Sequence, residues 1–255
     1  MKTTNILTIA GNDILSGGGF QADLATFAAH RLYGFLAQTC MTAVTEQGFE
    51  IIPTPLDVFQ KQLDSLQDIP FAAIKIGLLP TPEMMAAVLA FLKARAQIPV
   101  VLDPVLVFKE NADDEIAQMS QQMLSLFQVA DVITPNLKEA QLLSGKPVTN
   151  LAEMEEAAAV LQLLGARNVL IKGGARLGEE EAFDLLRKED GTLTYLKSPL
   201  LHRNNQGAGC TFASAVASQL ALGKKVSEAA QAAKSFVYQA IAHSNQYGVV
   251  QYETD

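Results

Sequence analysis

Short apolar runs alternate with amphipathic stretches along most of this chain, and the alternation predicts its elements. "NILTIA" reads as a buried strand, followed by a glycine cluster and a helix around Leu24, Phe27 and Ala28. "FLAQTCMTAV" is a second buried run. In "PLDVFQKQLDSLQD", Leu56, Phe59, Leu63 and Leu66 fall on one helical face. "FAAIKIGLL" is a strand, and "TPEMMAAVLAFLKARA" is a helix with Thr81 as N-cap and Pro82 in the first helical position. "PVVLDPVL" and "DVITPN" are strands ending in proline-bearing loops. "LKEAQLLSG" is a short helix stopped by Gly145, Asn150 caps a helix over "LAEMEEAAAVLQLLGA", and "NVLIKGG" is a strand. Then the pattern changes. "EEAFDLL", an Asp190-Gly191 turn and "TLTYLKSPL" predict an antiparallel hairpin. Two helices follow, from Cys210 to Leu222 and from Ser227 to His243.

The chain has no linker-like segment, low-complexity tract or repeat, so a single α/β domain over residues 1–255 is expected. Its sheet should be mostly parallel, covered on both faces by helices, with the late hairpin as an antiparallel edge. Ligands of such sheets bind outside the carboxyl ends of the strands. That rule picks out Asn12 and Asp13, Lys75, Asp103, Asn136 and Glu139, and the Lys172–Gly173–Gly174 run. Singly, each has a plain structural reading: Asp103 before Pro104 as a turn former, Glu139 as a solvated first-turn residue, Lys172 as a loop charge. Five successive strand ends carrying Asp, Lys, Asn or Glu on one rim argue for a site.

Composition narrows the class. Apolar residues make up 49% and charged residues 18% of 255 residues, which suits a globular enzyme rather than a disordered chain. A net charge of −8 argues against a general nucleic-acid or membrane-surface binder, yet leaves room for a phosphate-bearing substrate, which needs only a few local cations. Cys40 and Cys210 are the only cysteines, too few for a disulfide framework or a zinc quartet, and the three histidines are scattered. "MKTTNILTIAGND" lacks the apolar length of a signal peptide, and no stretch reaches the roughly 18–20 apolar residues of a membrane span. The chain is expected to be cytoplasmic.

The late stretch "NNQGAGCTFASAV" bears most directly on chemistry. Gly207, Ala208 and Gly209 run into Cys210, Thr211 and an apolar helix pattern. Unpaired N–H groups and the helix dipole at such a start favour an anion. A cysteine there is expected to have a lowered pKa and to serve in acid–base chemistry. No G-x-x-x-x-G-K-[ST] run occurs, "AGNDILSGGGFQADL" lacks the G-x-G-x-x-G spacing, and the protein-kinase signatures are absent. The remaining set suits phosphoryl transfer: Asp103 and Glu139 for Mg²⁺, directly or through water, Lys172 or Lys109 for phosphate, and the Gly207–Cys210 amides for the transferring group.

"LTIAGND…GGGFQADL", "IKIGLL", "LDPVL", "TPNLKEA", "VLIKGG" and "NNQGAGCTFASA" together resemble the ribokinase-like superfamily. Within it the resemblance is closest to the pyridoxine/pyridoxal kinases and the hydroxymethylpyrimidine kinases, over about Asn5 to His243. It implies a three-layer α/β/α sandwich and transfer of the ATP γ-phosphoryl group to a substrate hydroxymethyl group, with Mg²⁺. By position, Gly207–Gly209 and Cys210 match the anion hole and catalytic position, where many superfamily members hold an aspartate base. Asn136 and Glu139 match the N-x-x-E element associated with Mg²⁺ and phosphate, and Asp103 the aspartate of D-P-V. Lys172 and Gly173 match the phosphate-facing loop. Lys109, Asp184 and Lys234, with Thr211, match the nucleotide side. Asp13, with Asn12 and the Gly17–Gly18–Gly19 turn, falls where the substrate ring sits. Three departures stand out: Phe108 where related pyridoxal kinases often carry a lid cysteine, Gln206 before G-A-G-C, and Asn12 for the usual serine. Relatives are commonly homodimers.

Two vitamins compete as acceptor, each offering a hydroxymethyl group on a flat nitrogen heterocycle. Pyrimidine kinases tend to have glutamine at the place of Val44. An aliphatic residue there leaves the aminopyrimidine edge unpaired at a cost of roughly 1–3 kcal/mol. Val44 therefore favours a B6 vitamer, unless it is simply the last buried residue of a strand. A hydroxymethylpyrimidine kinase of thiamine biosynthesis is the alternative, and a catalytically idle nucleotide or B6 binder with a regulatory role is a third reading.

Overall fold

The apolar runs lack a polar side because helices cover both faces of the sheet that they build. The computed structural model describes residues 3–106, 113–178 and 180–251. In chain order the elements are β1 (Asn5–Ala10), α1 (Gly19–Ala29), β2 (Tyr33–Gln38), β3 (Cys40–Thr45), β4 (Gly48–Pro53) and α2 (Leu56–Ser65). Next come β5 (Ala73–Ile76), α3 (Pro82–Lys93), β6 (Val100–Leu102), α4 (Asp113–Phe127), β7 (Val132–Ile133) and α5 (Leu137–Ser144). The remainder is α6 (Leu151–Leu163), β8 (Asn168–Gly174), β9 (Glu181–Arg187), β10 (Leu193–Pro199), α7 (Ala208–Ala221) and α8 (Val226–Ala242).

Eight strands form one sheet in the order β10-β9-β8-β7-β6-β5-β1-β2. Every pairing from β2 to β8 is parallel, whereas β9 and β10 run antiparallel to their neighbours. Successive strand residues point to opposite faces, and the core divides accordingly. Leu7, Ile9, Ile74, Ile76 and Leu102 pack in one cluster with residues of α2 to α6. Ile6, Ala73, Val101, Leu170 and Leu186 pack in the other with residues of α1, α7 and α8. The expected three-layer α/β/α arrangement and its antiparallel edge hairpin are present. Because the six strands from β2 to β8 in this order are parallel, their carboxyl ends share one rim.

Local signals set the helix ends. Thr81 caps α3, accepting from Met84 N at 3.3 Å, with Pro82 just inside. Asn150 caps α6, and Gly145 ends α5 at a positive φ of 67°. Four details differ from the sequence reading. "FLAQTCMTAV" is not one strand: the chain turns at Thr39, whose N–H donates to Ala10 O, and β3 leaves the main sheet to pair with β4. The strand "GFEIIP" was not predicted, because it only half-alternates and carries no core. Helix α4 was not predicted either. Helix α7 begins two residues before Cys210, since Gly207 adopts a left-handed conformation with φ 82°.

Candidate active site

At the rim, Asp103 follows β6 and is buried, and Lys172 reaches it from β8, with Nζ donating to Asp103 Oδ1 at 2.6 Å. Thr134 Oγ1 donates to the same oxygen at 3.1 Å. Asn136 and Glu139 form a reciprocal cap at the start of α5: Asn136 N donates to Glu139 Oε2 at 2.8 Å, and Glu139 N to Asn136 Oδ1 at 2.9 Å. Glu139 is thus no solvated surface residue. Burial pushes its carboxyl up to about 7, with Asp103 adding to the rise and Lys172 opposing it. Burial alone would lower the Lys172 ammonium, but Asp103 and Glu139 more than offset it and raise its pKa.

The first turn of α7 meets this cluster. A Cβ on Gly207 would lie 1.4 Å from Gly17 O, so only glycine permits this approach of the two loops. The amide of Ala208 donates to Asn205 O at 3.0 Å and is not available to a ligand. Those of Gly209 and Cys210 have no partner among the described residues. The Cys210 thiol corrects the sequence expectation. Burial pushes it up to about 11, and Asp103 and Asp23 offset the cations Lys75 and Lys172. A helix start lowers a thiol pKa only where desolvation and nearby carboxylates do not outweigh it.

The loop after β1 closes the other side. Asp13 accepts from Leu15 N and Gly18 N at 3.0 and 2.8 Å, and Gly19 takes a positive φ of 61°, where a Cβ would meet Asp13 N at 2.5 Å. Asn12 Oδ1 accepts from Thr42 N at 2.6 Å, which ties the β3–β4 hairpin to this loop. Thr42 and Phe49 of the hairpin face the site. Val44, paired with Phe49, is 61% exposed and does not line the cavity. It is neither a buried strand end nor a wall residue.

These groups bound a cavity of about 300 Å³ lined by Asn12, Asp13, Gly18, Lys75, Asp103 and Cys210, among others. A second cleft of about 520 Å³ lies against it, and Asn136, Lys172 and Gly209 line both. Gly173, Ala208, Asp184 and Lys234 belong to the larger cleft. Asp184 Oδ1 accepts from Gly173 N at 3.0 Å and its Oδ2 from Lys234 Nζ at 2.7 Å, so this pair shapes the glycine loop. Thr211 departs from expectation. It is fully buried, its Oγ1 accepts from Gln251 Nε2 at 3.0 Å, and it lines neither cavity. Lys109 and Phe108 lie outside the described residues.

Sequence reasoning missed Asp23. Lys75 lies within β5 rather than beyond it, and its Nζ donates to Asp23 Oδ2 at 2.8 Å, both side chains fully buried. Thr8 donates to Oδ2 and Ser214 to Oδ1 of the same carboxylate, each at 2.6 Å. The only available signal was an aspartate on the apolar side of the first helix. No group of three or more His, Cys, Asp or Glu able to hold a metal forms among the described residues. Mg²⁺ in phosphoryl-transfer sites, however, takes one or two carboxylates and completes its shell with water and phosphate oxygens. The hard oxygens of Asp103 and Glu139, which line the smaller cavity and bond to the shared residues Lys172 and Asn136, fit that donor set.

Two abutting cavities that share a lysine and a helix start are what transfer between a nucleotide and a small acceptor requires, and on this fold they define a small-molecule kinase of the ribokinase-like class. The sequence profile of the phosphomethylpyrimidine kinase family matches residues 13–255, and the chain belongs to that family. A hydroxymethylpyrimidine/phosphomethylpyrimidine kinase of Haemophilus influenzae is 38% identical over 247 residues, 93% of this chain and 91% of the relative. The ADP complex of Bacillus subtilis pyridoxal kinase superposes with a TM-score of 0.90 at 37% identity, covering 98% of this chain and 97% of that one. The Staphylococcus aureus pyridoxal kinase in complex with AMP-PCP and pyridoxal has a TM-score of 0.88 at 35% identity, covering 97% and 92%.

Proposed function

We propose that this protein transfers the γ-phosphoryl group of ATP to the 5′-hydroxymethyl group of a B6 vitamer (pyridoxal, pyridoxine or pyridoxamine), forming the 5′-phosphate and ADP. One observation carries this reading: the larger cleft and the smaller cavity meet at Asn136, Lys172 and Gly209, where a phosphoryl group can pass between them. ATP occupies the larger cleft, with its phosphates toward Lys172. The acceptor lies in the smaller cavity beneath Phe49, between the Asp13 loop and Cys210. The free amides of Gly209 and Cys210 stabilise charge on the transferring group. Cys210 takes the hydroxymethyl proton as a thiolate: the thiol, protonated in the free protein, first gives up its own proton to solvent, and the hydroxymethyl proton then moves to sulfur late in a loose transition state. Asp103 and Glu139 would hold Mg²⁺, which would neutralise phosphate charge there. The B. subtilis and S. aureus pyridoxal kinases, alike over nearly their whole length, support the B6 assignment.

A hydroxymethylpyrimidine acceptor is the second reading. It is favoured by the H. influenzae relative and by the position of Val44 outside the cavity, which removes the argument against an aminopyrimidine edge. We further propose a cytoplasmic homodimer. Among the described residues no helix is long and apolar enough to cross a membrane, and the exposed Met41–Ile52 pair on the outer hairpin face supports self-association.

The deciding experiment compares pyridoxine, pyridoxal and pyridoxamine with hydroxymethylpyrimidine under Mg-ATP. We expect kcat/KM for a B6 vitamer at least about tenfold above that for the pyrimidine, near 1.4 kcal/mol. Preferred turnover of the pyrimidine moves the assignment to the second reading. Turnover of none, with binding retained, would make the chain an idle binder.

A further inference from the structure

Three backbone segments meet behind the anion-binding turn, and only two belong to the site described above. The third is the stretch that follows α8. Asn245 folds it back: its Oδ1 accepts from Tyr247 N at 2.8 Å and Gly248 N at 3.2 Å, while its own N–H donates to Gly248 O. Asn204 Nδ2 donates to Asn245 O at 2.9 Å, and Val249 N donates to Gln206 O at 3.0 Å, the residue directly before Gly207. One turn further on, Gln251 Nε2 reaches Thr211 Oγ1 at 3.0 Å, beside Cys210. Val249, Val250 and Gln251 are all buried.

The packing at this junction leaves no room for side chains. A Cβ on Gly248 would lie 2.8 Å from Gln206 O and 2.9 Å from Gly17 Cα. One on Gly17 would lie 2.8 Å from Tyr247 O and 2.8 Å from Gln206 Cγ. With Gly207 pressed on Gly17 O, the acceptor-side loop, the anion-binding turn and the returning segment interlock through three glycines.

We propose that the segment Asn245–Gln251 is a positioning strap for phosphoryl transfer, with Gly248 and Gln251 as the residues that hold the Gly207–Cys210 turn in register with the acceptor. The inference rests on the kinase reading but on neither choice of acceptor. The Gly209 and Cys210 amides act on charge that develops during transfer, so a loosened turn lowers kcat while leaving ground-state binding nearly intact. The contact from Gln251 also gives the hydroxyl of Thr211, which lines neither cavity, a buried partner at the first turn of α7.

The test uses two variants of the whole chain, assayed with whichever hydroxymethyl acceptor the unmodified protein turns over. Gln251→Met keeps the bulk and removes the donor, and Gly248→Ala forces a Cβ against Gln206 O. Displacement at a reacting centre of an ångström or less costs up to about a hundredfold, so we expect kcat to fall roughly 5- to 100-fold in both. KM for ATP and for the acceptor should stay within about twofold. Amide exchange at Ala208 and Thr211, the hydrogen-bonded amides within 207–211, should speed up, while that of the distant helix α3 should not change. If Gly248→Ala does not fold, Gln251→Met decides alone. Overturning results are a Gln251→Met enzyme with kcat within about twofold of normal, a change confined to thermal stability, or exchange at 207–211 that matches the unmodified chain. An unmodified chain that phosphorylates no hydroxymethyl acceptor defeats the kinase reading instead, and the exchange measurement still judges the strap.

Discussion

In the proposed reaction Cys210 combines two contributions, an amide that faces the transferring group and a thiol that faces the acceptor, and mutation separates them. Cys210→Ala keeps the amide and removes the thiol. We expect kcat to fall by about 10²–10⁴ with ATP binding little changed, the usual scale for a lost acid–base group. An alanine enzyme retaining more than half of normal kcat leaves catalysis to the backbone alone. The thiol should also titrate high. A raised pKa means less thiolate at any given pH, so iodoacetamide should modify Cys210 slowly at neutral pH, with a midpoint near 11 in the free protein. A midpoint near the ordinary value of about 8.5 contradicts the burial and the two carboxylates that set it. Residue identity made Cys210 conspicuous in the sequence. Its titration did not follow, because Asp23, Asp103, Lys75 and Lys172 arrive from four other elements.

Among the elements that line the proposed acceptor cavity, the β3–β4 hairpin was least legible. Its inner face brings Thr42 and Phe49 over the site, while Val44 extends beyond it. Phe49→Ala should therefore raise the acceptor KM by about tenfold or more, since a lost apolar pocket contact is worth roughly 1–3 kcal/mol, and leave the ATP KM unchanged. Val44→Ala should change neither by more than about twofold. Equal effects at both positions contradict this placement of the hairpin. Apart from α4, helix and strand positions elsewhere were readable, and Thr81, Asn150 and Gly145 signal helix ends chemically. The hairpin was not, because β2 and β3 follow one another with only Thr39 between them, where the chain turns.

Across the whole molecule, Asp23 binds together β1, β5, α1 and α7 through Thr8, Lys75 and Ser214. Removing one partner of a buried ion pair strands the other charge. Lys75→Met should cost about 3–5 kcal/mol in denaturant unfolding. Asp23→Asn with Lys75→Met should recover a good part of that loss, because no uncompensated charge remains. A single variant no less stable than the double would show that Asp23 is satisfied without Lys75. The same network sets the distance between sheet and α7, so the floor of the acceptor cavity depends on it.

By itself, the order of short apolar runs and capped helices determined the sheet class, the rim on which Asp103, Asn136, Glu139 and Lys172 gather, and the tight turn into a helix at Gly207–Cys210. These follow from local periodicity and from residues whose chemistry is local: proline and threonine at a helix start, glycine at a left-handed turn. Only the tertiary structure decided that Glu139 is buried, that Thr211 turns away from the cavities, that Val44 stands outside them, and that Cys210 holds its proton. Each of those depends on desolvation and on charges brought within a few ångströms by segments far apart in the chain, which no local pattern in the sequence encodes.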